Sequence, residues 1–262
     1  MSILLPILIV AGIGLVAGVG LAIAAAALHV PRNEQVELLL AALPGANCGA
    51  CGYSGCAGYA EAIAGANAAA NLCIPGGAKT AAALGAVLGA EVGRVAEKRA
   101  FVRCNGTLSS CKPSHEYRGE QSCAASSMLF SGQKQCNYGC LGFGDCAKSC
   151  PEDAILLRNG IAAVDPERCI GCAACVRACP KKIIVLAEAR GRAVNRCSSK
   201  APGAICRKQC GVSCLGCRLC ERNCPEHAVQ VNDHLATVDM ALCTGCGLCV
   251  SKCPTKCLQM FA

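Results

Sequence analysis

The side chains of this sequence best equipped for chemistry are thiols: 27 of its 262 residues are Cys, and they recur at fixed spacings. Between Cys123 and Lys256 the chain repeats itself at a constant offset of 74 residues. Cys140, Cys146 and Cys150 match Cys214, Cys220 and Cys224, while Cys169, Cys172, Cys175 and Cys179 match Cys243, Cys246, Cys249 and Cys253. Asp165 matches Asp239, and a proline follows each fourth cysteine at Pro151, Pro180, Pro225 and Pro254. Thiols at such density form either a disulfide scaffold or metal sites. The count is odd, and many cysteines are separated by only two residues, a spacing at which bridging is sterically poor. The pattern selects thiolate ligation of metal.

Within each repeat the run C-x2-C-x2-C-x3-C-P is the signature of two-cluster bacterial ferredoxins. Three closely spaced thiolates wrap one [4Fe–4S] cubane, and the fourth reaches across to the other. Cross-ligation assigns Cys214, Cys217, Cys220 and Cys253 to one cluster of the second repeat, and Cys243, Cys246, Cys249 and Cys224 to its neighbour. In the first repeat Cys169, Cys172, Cys175 and Cys150 make a complete set. Cys140, Cys146 and Cys179 are one thiolate short, because Phe143 stands where the second repeat has Cys217. Cys136, just upstream, is the expected fourth ligand; a three-iron cluster, or recruitment of Cys104 or Cys123, are the alternatives.

A separate set lies nearer the N-terminus, Cys48-Gly-Ala-Cys51-Gly-Tyr-Ser-Gly-Cys56 with Cys73 ahead of Ile-Pro-Gly-Gly. Glycine lets backbone fold closely around a cluster, and the uneven spacing favours a cubane over structural zinc, which also accepts four Cys. Five clusters therefore use twenty cysteines. Cys104, Cys111, Cys123, Cys197, Cys206, Cys210 and Cys257 are left over, enough to leave room for a sixth cluster or to pack as small hydrophobes.

The elements that must position these thiols are short. The expected fold class is α+β: an N-terminal transmembrane helix, a small mostly helical [4Fe–4S] domain, and two tandem two-cluster ferredoxin-like units. Residues 1–31 form the anchor, 32–100 the single-cluster domain, 101–135 a connecting segment, 136–190 the first unit and 197–262 the second. Ile3 to Val30 carries no charge and exceeds the ~20 residues a membrane helix needs. It lacks the basic flank of a signal peptide. Glu34–Leu43, Ala57–Ala70 and Ala78–Arg99 read as helices. Asn159-Gly160 reads as a hairpin turn between Ile155 and Val164, with Asn232-Asp233 in the matching place of the second unit.

Composition agrees with metal-held domains. The chain has no Trp, four Phe, four Tyr and 29 Gly, so a large aromatic core is out of reach and metal ligation must supply folding energy. Its formal charge of +8 counts every Cys as neutral. Five cubanes, each roughly −2 with its four thiolates, reverse that sign. The basic residues are then counter-charges, and no Lys/Arg run suits nucleic acid. Arg168, Lys181, Lys182, Lys252 and Lys256 flank cluster motifs, where they raise local potential, dock an acidic partner or simply face solvent. No Ser-His-Asp or paired-carboxylate arrangement supports hydrolysis, and no G-x-G-x-x-G opens a βαβ unit.

The membrane helix, CGACGYSGC with its later CIPGG, the CNYGCLGFGDCAKSCPEDAI segment and the two ferredoxin units, in that order, resemble the B subunit of the Rnf complex, an ion-pumping ferredoxin:NAD oxidoreductase. The resemblance covers nearly the whole chain. It implies an electron-relay subunit without an NAD site of its own, taking electrons from soluble reduced ferredoxin and passing them to membrane and peripheral partner subunits. It also implies a single-pass anchor in the bacterial cytoplasmic membrane, with the cluster domains on the cytoplasmic side. A ferredoxin-like subunit of a hydrogenase- or formate dehydrogenase-type membrane enzyme is the competing redox reading. A cluster-stabilised scaffold, or a relative of corrinoid proteins, is the non-redox one.

Overall fold

The computed structural model describes residues 4–27, 33–129, 131–188 and 190–261. Helix α1 (Leu4–Ala27) contains no charged residue in its first or last turn. Its window Ile7–Ala24 has a mean hydropathy of 2.6 and none of it is buried within the chain. At 1.5 Å per residue this helix is about 36 Å long, against a bilayer hydrocarbon core of about 30 Å. The ends of the expected span, 1–3 and 28–31, lie outside the described residues.

Helix α2 (Glu34–Ala42) starts at Asn33, whose side chain accepts a hydrogen bond from Gln35 N. It packs against α3 (Cys56–Ala64) and α4 (Gly77–Leu88) through Leu39, Tyr59, Ile63 and Leu84. Two expected helices are shorter than the sequence suggested. Gly65 ends α3, and Ala66 beyond it takes φ 55°. Gly89, left-handed at φ 63°, ends α4 with its N–H on Gly85 O, a glycine C-terminus whose cost any Cβ would raise. Downstream, Arg99–Val102 is not helix but strand β1, running antiparallel to β4 (Ile184–Ala187). The expected connecting segment thus contributes an outer strand to the first ferredoxin-like unit.

Between those strands come α5 (Cys123–Met128), α6 (Asp145–Lys148), the hairpin β2 (Ile155–Arg158) and β3 (Ile161–Val164), and α7 (Ala174–Ala178). The second unit repeats the plan. Strand β5 (Ala193–Asn195) pairs with β8 (Leu258–Met260). Within that frame lie α8 (Gly203–Gln209), α9 (Leu219–Arg222), the hairpin β6 (Val229–Asn232) and β7 (Leu235–Val238), and α10 (Leu248–Ser251). Asn159-Gly160 turns the first hairpin at φ 45° and 76°, as expected. In the second, Asn232 closes β6 and the turn falls one residue later, on Asp233-His234 at φ 47° and 60°. The units share a small core in which Phe101 packs on Phe261, ring centroids 5.6 Å apart, beside Val194.

Candidate iron–sulfur centres

In the first domain Cys48, Cys51 and Cys56 sit on the loop that enters α3, and Cys73 returns to them. Asn47 Oδ1 accepts from Cys56 N at 2.9 Å, and Gly55 crosses it at φ 151°. A Cβ on Gly55 would stand 2.9 Å from that oxygen, which is why the loop needs glycine there. Tyr59, 1% exposed, donates to Ala69 O at 2.7 Å and accepts from Leu72 N at 3.0 Å. It fixes the returning segment one residue before Cys73. Burial pushes the Cys73 thiol above its ordinary value, and Cys48, Cys56 and Cys51 push it further by proximity.

The complete sets of the two units come together in the same manner. Cys175 is raised to about 11 by burial and by Cys169, Cys172 and Cys150 around it. Cys169 Sγ accepts from Ala100 N and Cys150 Sγ from Ala154 N, both at 3.4 Å. Such N–H donors stabilise a thiolate and tune a cluster it ligates. Cys249 is raised by burial and by Cys243, Cys224 and Cys246. Cys214, Cys217, Cys220 and Cys253 line one hollow. Cys257 joins them there, its Sγ 3.6 Å from that of Cys253. Hydrogen bonding to Cys257 holds Cys253 down to about 4 and Cys214 down to about 6.

In the hollow of the incomplete set the fourth thiol present is Cys123, and the expected Cys136 lies elsewhere. Cys123 lines a hollow with Cys140, Cys146 and Cys179, beneath Val102 and Ile184. Cys146 is raised to about 12 by burial and then by Cys140, Cys123 and Cys179. Asp145 presents Cys123: its carboxylate accepts from Cys123 N at 2.9 Å and Ala124 N at 3.0 Å, holding the start of α5 over α6. Phe143 faces away and packs on Tyr117, ring centroids 5.4 Å apart. The structure places Cys136 in a different hollow, with Cys104, Cys111, Cys197 and Cys210. Cys206 is in neither; it lies 3.2 Å from Ser199 Oγ and donates to Ala201 O.

In each hollow the thiols are spread around the space. Among the described residues no three or more His, Cys, Asp or Glu close in tightly enough to hold a single ion. Zinc, with Zn–S near 2.3 Å, would require that, whereas a cubane presents four separated corners. Thiols ringing a buried space, N–H donors aimed at their sulfurs and glycine at the closest approaches fit an iron–sulfur cluster. Of the flanking cations, Lys181 is tied to Asn137 O at 2.8 Å, while Arg168, Lys182, Lys252 and Lys256 are exposed.

Comparison with known proteins bears on the same residues. The family described as a putative Fe–S cluster domain matches residues 43–75, and the 4Fe–4S dicluster domain matches residues 134–183 and 213–257. The B subunit of the Na(+)-translocating ferredoxin:NAD(+) oxidoreductase complex of Acetobacterium woodii is 41% identical, over 91% of this chain and 72% of its own length. Its counterpart in the proton-translocating ferredoxin:NAD(+) oxidoreductase complex of Clostridium ljungdahlii is 40% identical over 92% of this chain and 86% of its own. That of the ion-translocating oxidoreductase complex of Methanosarcina acetivorans is 37% identical over 89% of each. Similarity of that extent means that the chain belongs to the B-subunit family of ion-translocating ferredoxin:NAD oxidoreductase (Rnf) complexes and is an iron–sulfur electron-transfer subunit.

Proposed function

We propose that this chain is the membrane-anchored relay of an Rnf-type complex, taking electrons from reduced ferredoxin and passing them to other subunits that carry the flavin and NAD chemistry. The observation that carries this reading is the continuity of thiol sites from the anchored domain to the C-terminus. A Cβ on Gly171, in the Cys169–Cys172 loop, would meet Ile74 Cγ2 at 2.8 Å, so the Cys73 loop lies directly against the first unit. Cys175 stands among the neighbours of Cys146, joining the two hollows of that unit. When bound, the clusters supply one-electron carriers whose potentials follow from hydrogen bonding, nearby charge and exposure.

The ligand sets we propose are Cys48, Cys51, Cys56 and Cys73; Cys150, Cys169, Cys172 and Cys175; Cys123, Cys140, Cys146 and Cys179; Cys214, Cys217, Cys220 and Cys253; and Cys224, Cys243, Cys246 and Cys249. The protein's part is to hold each set open, keep water from the inner thiols and aim N–H groups at sulfur. Cys217 and Cys246 are exposed, so the second unit offers the shortest approach for a soluble donor, with Lys252 and Lys256 beside it to attract an acidic surface. The apolar Ile7–Ala24 helix anchors the chain, with the cluster domains on the cytoplasmic face of the membrane.

The test is to purify the chain anaerobically with its membrane and add reduced ferredoxin while recording EPR. Co-purification with other membrane subunits, and [4Fe–4S] signals that grow with ferredoxin, are the expected result. Recovery in the soluble fraction, or clusters that ferredoxin leaves oxidised, would overturn the reading.

A further inference from the structure

The loop Cys169–Cys175 and its counterpart Cys243–Cys249 share one sequence pattern but meet different surroundings. In the first unit no residue from Cys169 to Cys175 is exposed. A Cβ on Gly171 would meet Lys98 O and, at 2.8 Å, Ile74 Cγ2. The second unit repeats the carbonyl contact, since a Cβ on Gly245 would meet Gly191 O. It does not repeat Ile74: the next side chain to reach Gly245 is Met260 of the unit's own β8, at 3.9 Å. Ile74 directly follows Cys73. The first domain therefore covers the first unit's loop with an apolar residue that stands beside one of its own thiols.

The second loop is open. Leu242, Thr244, Cys246 and Leu248 are all exposed, Leu242 at 51% and Leu248 at 45%. Met260, 42% exposed, leans over the same backbone, its Sδ 3.8 Å from where a Cβ on Gly247 would stand. Cys246 lies between Gly245 and Gly247, beneath that side chain. In the first unit Arg168 and Ala174 take the places of Leu242 and Leu248, and Cys172, the match of Cys246, is buried. Apolar surface thus stands in the second unit where the first has cover. A single exposed leucine needs no explanation, whereas three apolar side chains around an exposed thiol mark a contact surface. The other exposed thiol, Cys217, has a different rim: Arg218 follows it, 3.6 Å from Glu221, and Leu219 is the one large apolar neighbour in sequence on that side.

We propose that Leu242, Leu248 and Met260 form the seat of the electron donor, a soluble ferredoxin that presents an apolar residue beside its own cluster as Ile74 is presented to Gly171. This seat deepens the relay reading above and rests on it; it selects the Cys243–Cys249 loop over Cys217 and makes the centre of the contact apolar. The occupant follows from the chain's own precedent, in which the equivalent loop is covered by another iron–sulfur domain. A patch of three side chains suits the small interfaces of transient electron-transfer encounters. Exposed Lys252 and Lys256 steer the approach without forming its centre. One electron leaves the donor, which is oxidised, and enters the chain at the set Cys224, Cys243, Cys246 and Cys249, which is reduced; no bond forms or breaks.

The test is binding of a fluorescently labelled, oxidised two-cluster bacterial ferredoxin to the full chain in its detergent-solubilised complex, read by anisotropy, with KM for reduced ferredoxin measured alongside. Leu242→Arg/Leu248→Ala gives the second loop the residues that the first one carries. It is expected to raise Kd and KM about tenfold at unchanged iron content and kcat. Met260→Glu, outside both ligand loops, is expected to raise them in the same direction. Leu219→Ala, beside Cys217, is expected to leave both constants as they are. Unchanged Kd in the double variant and in Met260→Glu would overturn the seat, and so would a rise in Leu219→Ala alone. Either result leaves the relay reading standing, provided that ferredoxin still reduces the unmodified chain. Failure of ferredoxin to bind and reduce the unmodified chain would overturn both. If the double variant loses iron, Met260→Glu decides.

Discussion

The second unit fills its inner hollow with Cys214, Cys217 and Cys220 from one continuous loop and Cys253 from across the unit. The first unit, with the same strands at the same register, draws only Cys140 and Cys146 from the corresponding loop, and Cys179 from across. Its fourth thiol arrives on a separate helix, α5, pinned by Asp145. The position left by the missing thiol holds Phe143, turned outward against Tyr117. At the rim the roles reverse: the second unit carries an extra thiol, Cys257, where the first has Ile183. The comparison teaches that the frame specifies a place for four ligands without specifying which segment delivers them.

The broadest way to break the comparison is to remove the metal. Each sheet has two strands of three or four residues, and such pairs are marginal alone. Stripping iron with acid and chelator is expected to abolish amide-exchange protection in both units while α1 stays helical in detergent. Persistent protection in one unit would show that it has a metal-independent core. Next in size, Cys123→Ala and Cys217→Ala should each cost their own unit about four iron atoms. Cys136→Ala should spare the EPR component that Cys123→Ala removes. Phe143→Cys placed on Cys123→Ala should restore that component, making the first unit ligate as the second does; no recovery would mean that the loop around residue 143 cannot turn inward.

A smaller effect is expected at Cys257→Ile, which gives the second unit the first unit's residue. Losing one S–H bond to the ligand sulfurs, worth about 1 kcal/mol, should lower that cluster's midpoint potential by about 40 mV at unchanged iron content. An unchanged potential would mean that Cys257 only packs. The smallest effect is at the hairpin turns. His234→Gly should stabilise its hairpin by about 0.5 kcal/mol at most, relief of left-handed strain being offset by a more flexible unfolded chain. Gly160→Ala should cost about 1 kcal/mol, because its Cβ would lie 2.7 Å from Leu108 Cγ. Local amide exchange at the two turns distinguishes these signs.

The gathering of the complete cysteine sets was legible because cysteine spacing within a motif reflects a local loop. The hairpins were legible for the same local reason, apart from the one-residue shift onto Asp233-His234. What was hidden depended on distance along the chain. Cys123 and Cys136 both precede Cys140, and proximity in sequence favoured Cys136; only the turn of α5 above Asp145 brings the more distant one in. Val102 pairs with Ile184 as Asn195 pairs with Leu258 one repeat later, which makes Cys104 and Cys197 equivalent; this was hidden because their offset is 93 residues and not 74. The short Arg-Cys match there gave a signal, but the gapless repeat pairs Cys197 with Cys123 instead. The over-long α4 had a physical cause too: Ala-rich composition propagates helix until Gly89, and the polar stretch after it carries helix formers that the sheet recruits.

The stretch between Cys104 and Cys136 has 31 residues, against 12 between the equivalent Cys197 and Cys210. The surplus of 19 carries both Cys111 and Cys123. That surplus gives the first unit a second segment from which a thiol reaches the inner hollow. A thiol at position 143 would be redundant beside Cys123, so the side chain there is free to serve the outer surface as an aromatic contact for Tyr117.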